Sequence, residues 1–164
     1  MATREIREYP DPILEKKAKP VKEMTPKLKE LIEDMFDTMY EAGGVGLAAP
    51  QVGVLKQIIV IDVGEDNPLV LVNPEIINTS GEQTGQEGCL SVPGKIGYVT
   101  RPENVKVRAF DENMNERELD GEGLLARAFC HEIDHLKGQM YVDLALDGLH
   151  DIEVEPLDDE EEEI

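Results

Sequence analysis

The sequence predicts a single α+β domain, with mixed or antiparallel sheets packed around a central helix that carries a His-Glu-x-x-His motif. Three observations predict this fold class. A chain of 164 residues fits one domain with a buried core. Two segments have the apolar period of helices, and short β-rich runs lie between them. The connections between those runs are too short for βαβ crossovers, which favours antiparallel pairing.

The first helix is predicted to begin at Thr25 and Pro26, because a threonine hydroxyl caps a helix well and proline is favoured in the first turn. Gly43 and Gly44 mark its end. The apolar residues between these points recur with helical spacing and should form one buried stripe: Leu28, Leu31, Ile32, Met35, Phe36 and Met39.

Strands are predicted at 57–63, at 69–73 and, beyond Pro74, at 75–79. A later hairpin is predicted from 105–110 and 115–119. The second helix is predicted to run from a cap at Asp120 to about Lys137, where Gly138 supplies the C-terminal stop.

The chain is strongly acidic, with a formal net charge of −20. Eight of the acidic residues and no base lie from Glu153 to Ile164, which leaves −12 on the rest of the chain. Such a surface opposes nucleic-acid binding, because that binding depends on Lys and Arg neutralising phosphates. Residues 151–164 are predicted to be an acidic, disordered tail that follows one folded domain at residues 1–150.

Neither a secretory signal nor a membrane span is expected, because the first eleven residues are rich in charge and no window is apolar enough to cross a bilayer. We therefore expect a cytoplasmic protein that does not bind a membrane. Its two cysteines, Cys89 and Cys130, are expected to be free thiols or metal ligands, since a non-secreted chain of this size needs no disulfide.

The second predicted helix carries the sharpest chemical signal, His131-Glu132-Ile133-Asp134-His135. Residues four apart share a helix face, so both imidazoles can reach one cation, and Glu132 stays close to that face. A metal held there lowers the pKa of bound water, and the carboxylate can accept the proton. The alternative is a pair of surface histidines, but apolar residues just before the motif indicate a buried helix: Leu124, Leu125, Ala128 and Phe129.

A third metal ligand has to come from elsewhere in the chain. The extended motif H-E-x-x-H-x-x-G-x-x-H fails, because Tyr141 occupies the final histidine position. Cys130 points about 100° away from His131 around the helix and is interpreted as a core residue. Cys89 lies in a glycine-marked segment, and a thiolate with two imidazoles is a coherent ligand set for zinc or ferrous iron. A buried structural thiol is the alternative for Cys89.

A third segment contains closely spaced small residues that end at Gln51. Its G-x-G-x-x-A spacing matches a dinucleotide loop, but it follows a helix and runs into Pro50, so nucleotide binding is rejected. Small residues would let a substrate backbone lie against the chain, and the Gln51 amide could donate to a developing oxyanion. The alternative is a glycine turn with a solvent-facing glutamine.

In this order and spacing, the three segments resemble the signature motifs of the peptide deformylase family: Gly44-Val45-Gly46-Leu47-Ala48-Ala49-Pro50-Gln51, Glu87-Gly88-Cys89-Leu90-Ser91 and His131-Glu132-Ile133-Asp134-His135. The resemblance extends to about Leu144. It implies a metal-dependent hydrolase that removes the N-formyl group from the initiator methionine of new polypeptides and releases formate. Residues 1–150 would be its catalytic domain, and formylmethionyl nascent polypeptides its partners.

The resemblance also implies roles for individual residues. The metal, a ferrous ion that zinc, nickel or cobalt can replace, would be bound by Cys89, His131 and His135. Glu132 would carry a proton from water to the leaving amine, while Gln51 and the backbone N–H of Leu90 stabilise the oxyanion.

Substrate binding is implied for a further set of residues. The Gly46 backbone would align the substrate, and the methionine pocket would be lined by Val45, Leu124 and Ala128. Glu87 and Arg101 would form a supporting ion pair.

The chain departs from the family pattern at Cys130, at Ile96 and in its acidic C-terminus, so a contact with the ribosome would not use a basic C-terminal helix. Two other functions remain open from the residues alone. A zinc endopeptidase would not depend on Cys89. A non-catalytic, metal-stabilised binding module would tolerate Glu132→Gln.

Overall fold

Helix α1, Pro26–Glu41, begins where the sequence predicts. The computed structural model describes residues 2–64 and 67–151. The Thr25 hydroxyl accepts a hydrogen bond from the backbone N–H of Leu28 at 3.1 Å, which caps the helix. The buried face includes four residues of the predicted stripe: Leu31, Ile32, Met35 and Met39.

Besides three short 3₁₀ helices, the described residues contain eight strands and a second α-helix. They are β1 Gly46–Ala48, β2 Ile58–Ile61, β3 Leu69–Ser80, β4 Gln83–Cys89, β5 Val92–Arg101, β6 Asn104–Phe110, β7 Glu116–Glu122, α2 Leu124–Leu136 and β8 Leu146–Asp151. One sheet has the strand order β1-β2-β3-β6-β7, and a second has the order β4-β5-β8. All these strand pairs are antiparallel, which confirms the predicted α+β class and single domain.

The larger sheet separates two apolar layers. Because side chains alternate along a strand, Ile59 and Ile61 of β2 face α2, while Ile58 and Val60 face α1. On the α2 side they pack with Phe129, Cys130 and Ile133, and on the α1 side with Met35 and Met39. Helix α2 also contacts β5 of the smaller sheet, so it lies against both sheets. That position brings its polar residues near the smaller sheet.

The predicted break at Pro74 is wrong, because β3 is one strand with an irregularity there. Its register with β6 shifts between Val72 and Glu75, and Asn73 has a φ of 52°. Proline cannot donate a ladder hydrogen bond, so a register shift accommodates it within an interior strand. The predicted hairpin of the two later strands is confirmed as β6 and β7, with Phe110 opposite Glu116.

The predicted cap at Asp120 is also wrong. Asp120 lies in β7 opposite Lys106, and α2 begins only at Leu124, after Gly123 with a φ of 59°. Strand pairing along the whole of β7 outweighs the local capping preference of aspartate. The predicted C-terminal stop is confirmed, because α2 ends at Leu136 and Gly138 follows with a φ of 78°.

Strands β1, β4, β5 and β8 were not predicted, and β8 extends one residue into the predicted tail. Lys95 of β5 forms an ion pair with Asp151, the last residue of β8. The rest of the predicted acidic tail, residues 152–164, lies outside the described residues. Within the described part of the chain, no helix combines the length and apolar character that crossing a bilayer requires.

Gly138→Ala is expected to lower the free energy of unfolding by at least about 1 kcal/mol more than Gly148→Ala does. A left-handed backbone costs an L-residue about 1–2 kcal/mol, and both glycines have a φ of 78°. At Gly138 a Cβ would lie 2.4 Å from the carbonyl oxygen of Glu15, whereas at Gly148 it would meet nothing within 4 Å. Urea denaturation of both variants measures the difference, and equal losses would contradict the tight contact between the two segments.

Candidate metal centre

A thiol and two imidazoles converge where β4 meets α2. The potential ligand atoms of Cys89, His131 and His135 all lie within 4.8 Å of one another. Cys89 Sγ is 3.3 Å from His135 Nε2, and the two imidazole rings have centroids 5.0 Å apart. Cys89 is the last residue of β4, and the histidines are one turn apart on α2. The structure therefore brings together the three residues that the sequence selects as ligands.

The chemistry of these three groups fits a divalent metal. A thiolate and two neutral imidazoles form a mixed S/N donor set that suits zinc or ferrous iron and leaves a coordination position open. His135 is buried, and burial lowers its pKa well below the usual value, which favours the neutral form that binds metals. Among the described residues, nothing accepts or donates a hydrogen bond at the buried atoms Glu132 Oε1 and His135 Nδ1.

Glu87 orients the first histidine. Its Oε1 lies 2.9 Å from His131 Nδ1, and its two oxygens accept hydrogen bonds from Arg101 at 2.8 and 3.0 Å. Burial alone would raise the pKa of Glu87, but the hydrogen bonds from His131 and Arg101 lower it to about 2. The carboxylate is therefore ionised and accepts from the N–H at His131 Nδ1, so in the neutral, metal-binding form of this ring Nε2 is the atom available to a metal. The ion pair that the resemblance implies between Glu87 and Arg101 is present.

Glu132 lies beside the ligand cluster against the glycine segment of β1. A Cβ at Gly46 would be 2.6 Å from Glu132 Oε2, so only glycine leaves room for this carboxylate. Burial raises the pKa of Glu132 to about 7. A carboxyl group with a pKa near neutrality can both accept and release a proton at physiological pH, as a general base requires.

Gln51 is not the solvent-facing glutamine of the alternative interpretation, because it is only 1% exposed. Its Oε1 accepts a hydrogen bond from the backbone N–H of Ala48 at 2.9 Å. Its Nε2 donates to Ser91 Oγ at 3.0 Å and lies 3.5 Å from Cys89 Sγ. The backbone N–H of Leu90 donates to no residue in the described part of the chain. Two N–H donors thus lie next to the ligand thiol.

A cavity of about 640 Å³ opens beside these groups. Its walls include the three residues that the resemblance assigns to the methionine pocket, together with the predicted catalytic groups: Val45, Leu124, Ala128, Gly46, Gln51, Cys89, Leu90, His131 and Glu132. Val45 and Leu124 form an exposed rim, and Ala128 is buried further in. His135 does not line the cavity and is almost fully buried.

The other cysteine lies away from the candidate ligand cluster, as the sequence predicts, and so does the remaining histidine. Cys130 is a buried member of the core between α2 and the larger sheet, and burial raises its pKa to about 11. His150 is exposed on β8. Tyr141, at the position where an extended zinc motif would carry histidine, packs against the His131 ring with centroids 5.7 Å apart.

Three residues near the site were missed by the sequence reasoning. Asp134 accepts a hydrogen bond from Arg101 at 2.7 Å, and Ser91 accepts one from Gln51. Arg127 donates to Glu87 at 2.7 Å. Only Arg127 had a detectable signal, because it is a lone base within an apolar stretch and lies four residues before His131 on the same helix face.

Known proteins match this chain over nearly its whole length. The family model for polypeptide deformylase matches residues 3–148. A peptide deformylase of Lachnoclostridium phytofermentans is 62% identical over 165 residues, covering 99% of this chain and all of its own. One from Agathobacter rectalis is 61% identical over 94% of this chain and 98% of its own.

Solved structures agree with these matches. The crystal structure of a peptide deformylase from Legionella pneumophila has a TM-score of 0.86 at 50% identity, covering 88% of this chain and 87% of its own. That of a peptide deformylase from Synechococcus elongatus, in complex with actinonin, has a TM-score of 0.85 at 46% identity and covers 89% of this chain and 80% of its own.

Loss of a hydrogen-bond partner of a metal ligand weakens metal binding roughly 10–100-fold. Cys89→Ser changes a proposed ligand itself, so it is expected to weaken metal binding more than that. Cys130→Ser is the matched control, because it removes the same atom from a buried position outside the cluster. Competition with a chelator measures the affinity of both variants for zinc. Unchanged affinity in Cys89→Ser would remove this thiol from the ligand set.

Proposed function

Because the chain belongs to the peptide deformylase family, we propose that Cys89, His131 and His135 hold its metal and that Glu132 moves the proton of its reaction. Family membership establishes that reaction as the metal-dependent hydrolysis that removes the N-formyl group from nascent polypeptides. The convergence of one thiol and two imidazoles beside a buried carboxylate is the observation that carries the residue assignment.

Ferrous iron is the metal we propose, with zinc, nickel or cobalt able to take its place. The donor set of one thiolate and two imidazoles supports an ion of this group. When bound, such an ion would polarise the formyl carbonyl and lower the pKa of water.

Glu132 would act as the general base and then as the general acid. Its carboxylate takes a proton from the attacking water and later delivers it to the amine nitrogen as the C–N bond breaks. The missing side chain at Gly46 leaves room for the carboxylate at the cavity wall, and the pKa of about 7 of Glu132 supports proton transfer in both directions.

The oxyanion that forms at the formyl carbon would be stabilised by two N–H donors. Gln51 is held by Ala48 and Ser91, so its amide is fixed before substrate binds. The Leu90 N–H, which lacks an acceptor among the described residues, supplies the second donor. Donors that need no reorganisation are the effective ones for such an intermediate.

The methionine side chain of the substrate would enter the cavity between Val45, Leu124 and Ala128, while the Gly46 backbone aligns the peptide. The exposed apolar rim at Val45 and Leu124 supports this proposal, because binding would bury apolar surface that is otherwise in contact with water. The small side chain of Ala128 leaves room deeper in the cavity.

The two rival functions leave observations unexplained. A zinc endopeptidase would not depend on a thiol, yet Cys89 Sγ lies within reach of both histidines. A binding module would have no use for a buried, uncompensated carboxyl group at the cavity wall, since such a group destabilises the fold.

We place the catalytic domain at residues 1–150, followed by an acidic segment from residue 151, and we place the protein in the cytoplasm. A contact with the ribosome would use some surface other than a basic C-terminal helix, because the last residues are acidic. The negative charge of the chain also supports the absence of direct nucleic-acid binding.

Glu132→Gln is expected to lower the rate of formate release from a formylmethionyl peptide by about 10²–10⁴-fold, the usual contribution of a positioned acid–base group. Metal content should not change, because Glu132 is not among the three proposed ligands. Glu118→Gln, which alters an exposed residue of β7, is the control. Full activity in Glu132→Gln would exclude this residue as the general base.

Iron-loaded protein is expected to lose activity in air, whereas nickel-loaded or cobalt-loaded protein should keep it. The thiolate and ferrous ion of the proposed site are both open to oxidation, while the two replacement ions resist it. Formate release after timed exposure to air measures the loss. Iron-loaded Cys130→Ser should lose activity to the same extent, which would attribute the loss to the metal site and not to this second thiol. Stable activity of the iron form in air would argue against iron as the metal.

A further inference from the structure

The Glu87 carboxylate lies between the guanidinium groups of Arg101 and Arg127. Neither group takes part in the proposed proton transfer. Glu87 Oε2 accepts from Arg101 Nε at 2.8 Å and from Arg127 Nη1 at 2.7 Å. Its Oε1 accepts from Arg101 Nη2 at 3.0 Å and faces His131 Nδ1 at 2.9 Å. Every side chain in this cluster comes from β4, β5 or α2, the elements that carry or adjoin the proposed ligands.

When His131 is neutral, as a metal ligand is, charge balance in this cluster requires the second arginine. Arg101 also donates to Asp134 at 2.7 Å, so one guanidinium serves two carboxylates. Without Arg127, the group formed by Glu87, Asp134 and Arg101 would carry a net negative charge in a largely buried site, and a buried charge without a partner is costly. Arg127, which is 7% exposed, adds a second guanidinium, so that two positive charges balance the two carboxylates.

Arg127 also joins α2 to the smaller sheet. The same nitrogen that contacts Glu87 donates to the carbonyl oxygen of Val99 on β5 at 3.0 Å and lies 3.4 Å from that of Gly85 on β4. A Cβ at Gly85 would lie 3.0 Å from Arg127 Nη2, so the glycine within this strand leaves room for the guanidinium. The arginine therefore fixes the helix that carries both histidines against the strand that ends at Cys89.

We propose that Arg127 is a positioning residue that holds Glu87 in place and through it sets the orientation of His131 toward the metal. This inference rests on the proposed assignment of His131 as a ligand. Arg127 contacts Oε2 of Glu87, while His131 faces Oε1, so the arginine fixes the carboxylate from the side opposite the imidazole. Hydrogen-bond partners of ligating histidines fix the ring orientation and ligand basicity.

The test compares Arg127→Met with Arg108→Met, a matched change of a partly exposed arginine on β6 that pairs with Glu75 and Glu116. Binding of Co²⁺, measured by chelator competition, is expected to weaken about 10–100-fold in Arg127→Met and to stay within about twofold of wild type in Arg108→Met. The visible absorption of bound Co²⁺ should change only in Arg127→Met, because that spectrum reports ligand geometry. Arg127→Lys keeps the charge and should recover part of the affinity.

A folded Arg127→Met protein with wild-type Co²⁺ affinity and spectrum would overturn the proposal. Circular dichroism establishes folding, and if the methionine variant does not fold, Arg127→Gln carries the same comparison with a polar side chain. Failure of the ligand assignment itself is distinguishable. In that case the Co²⁺-loaded wild-type protein and the variants at residue 127 would all lack the near-ultraviolet band of a cobalt–thiolate bond.

A double-mutant cycle with Glu87→Gln tests whether Arg127 acts through Glu87. If it does, adding Arg127→Met to Glu87→Gln should weaken Co²⁺ binding much less than Arg127→Met does alone, since coupled residues give non-additive effects. Fully additive losses would show that Arg127 acts by another route and would overturn the proposal. In Arg127→Met, kcat and kcat/KM should fall by the same factor, because the arginine is proposed to affect the metal ligand and not the methionine pocket.

Discussion

The buried carboxylate of Glu87 is the interaction on which the rest of the site depends. It links β4 to Arg101 on β5 and to Arg127 and His131 on α2. Breaking a buried ion pair by removing one partner costs about 3–5 kcal/mol, so these three elements are held in one relative position. Cys89 lies two residues beyond Glu87 on β4, and its thiol therefore reaches the histidines. The ion-pair network therefore helps to position the candidate ligand cluster beside it.

One face of helix α2 packs in the apolar core, and another face carries residues of the candidate site. Ala126, Phe129, Cys130 and Ile133 pack against the larger sheet, and Gly121 of β7 allows a close approach, since a Cβ there would lie 2.7 Å from the Phe129 ring. The residues between them, Arg127, His131 and Glu132, face β1 and the smaller sheet. Apolar packing on one face thus provides the stability that keeps the polar groups of the other face buried.

Signals that depend on neighbouring residues predicted the structure well. Thr25 and Pro26 locate the start of α1, and the spacing of His131 and His135 places two imidazoles on one side of a helix. Features that depend on distant pairing were missed, because they have no local pattern. Strand β8 forms only by pairing with β5, and α2 starts late because β7 pairs with β6 to its end. Cys89 was selected by eliminating other ligands and by the family resemblance, since nothing near it in sequence predicts that it would meet α2.

The two carboxyl groups nearest the histidines illustrate how environment separates a structural role from a chemical one. Glu87 accepts hydrogen bonds from two guanidiniums and an imidazole, and despite burial its interactions with His131 and Arg101 keep its pKa at about 2. Glu132 is equally buried, but its Oε1 has no hydrogen-bond partner in the described part of the chain, and burial raises its pKa to about 7. A carboxylate that stays ionised can only orient its neighbours, whereas one that titrates near neutrality can exchange a proton with substrate. The number of hydrogen-bond donors around each glutamate therefore supports an orienting role for Glu87 and the proposed proton-transfer role for Glu132.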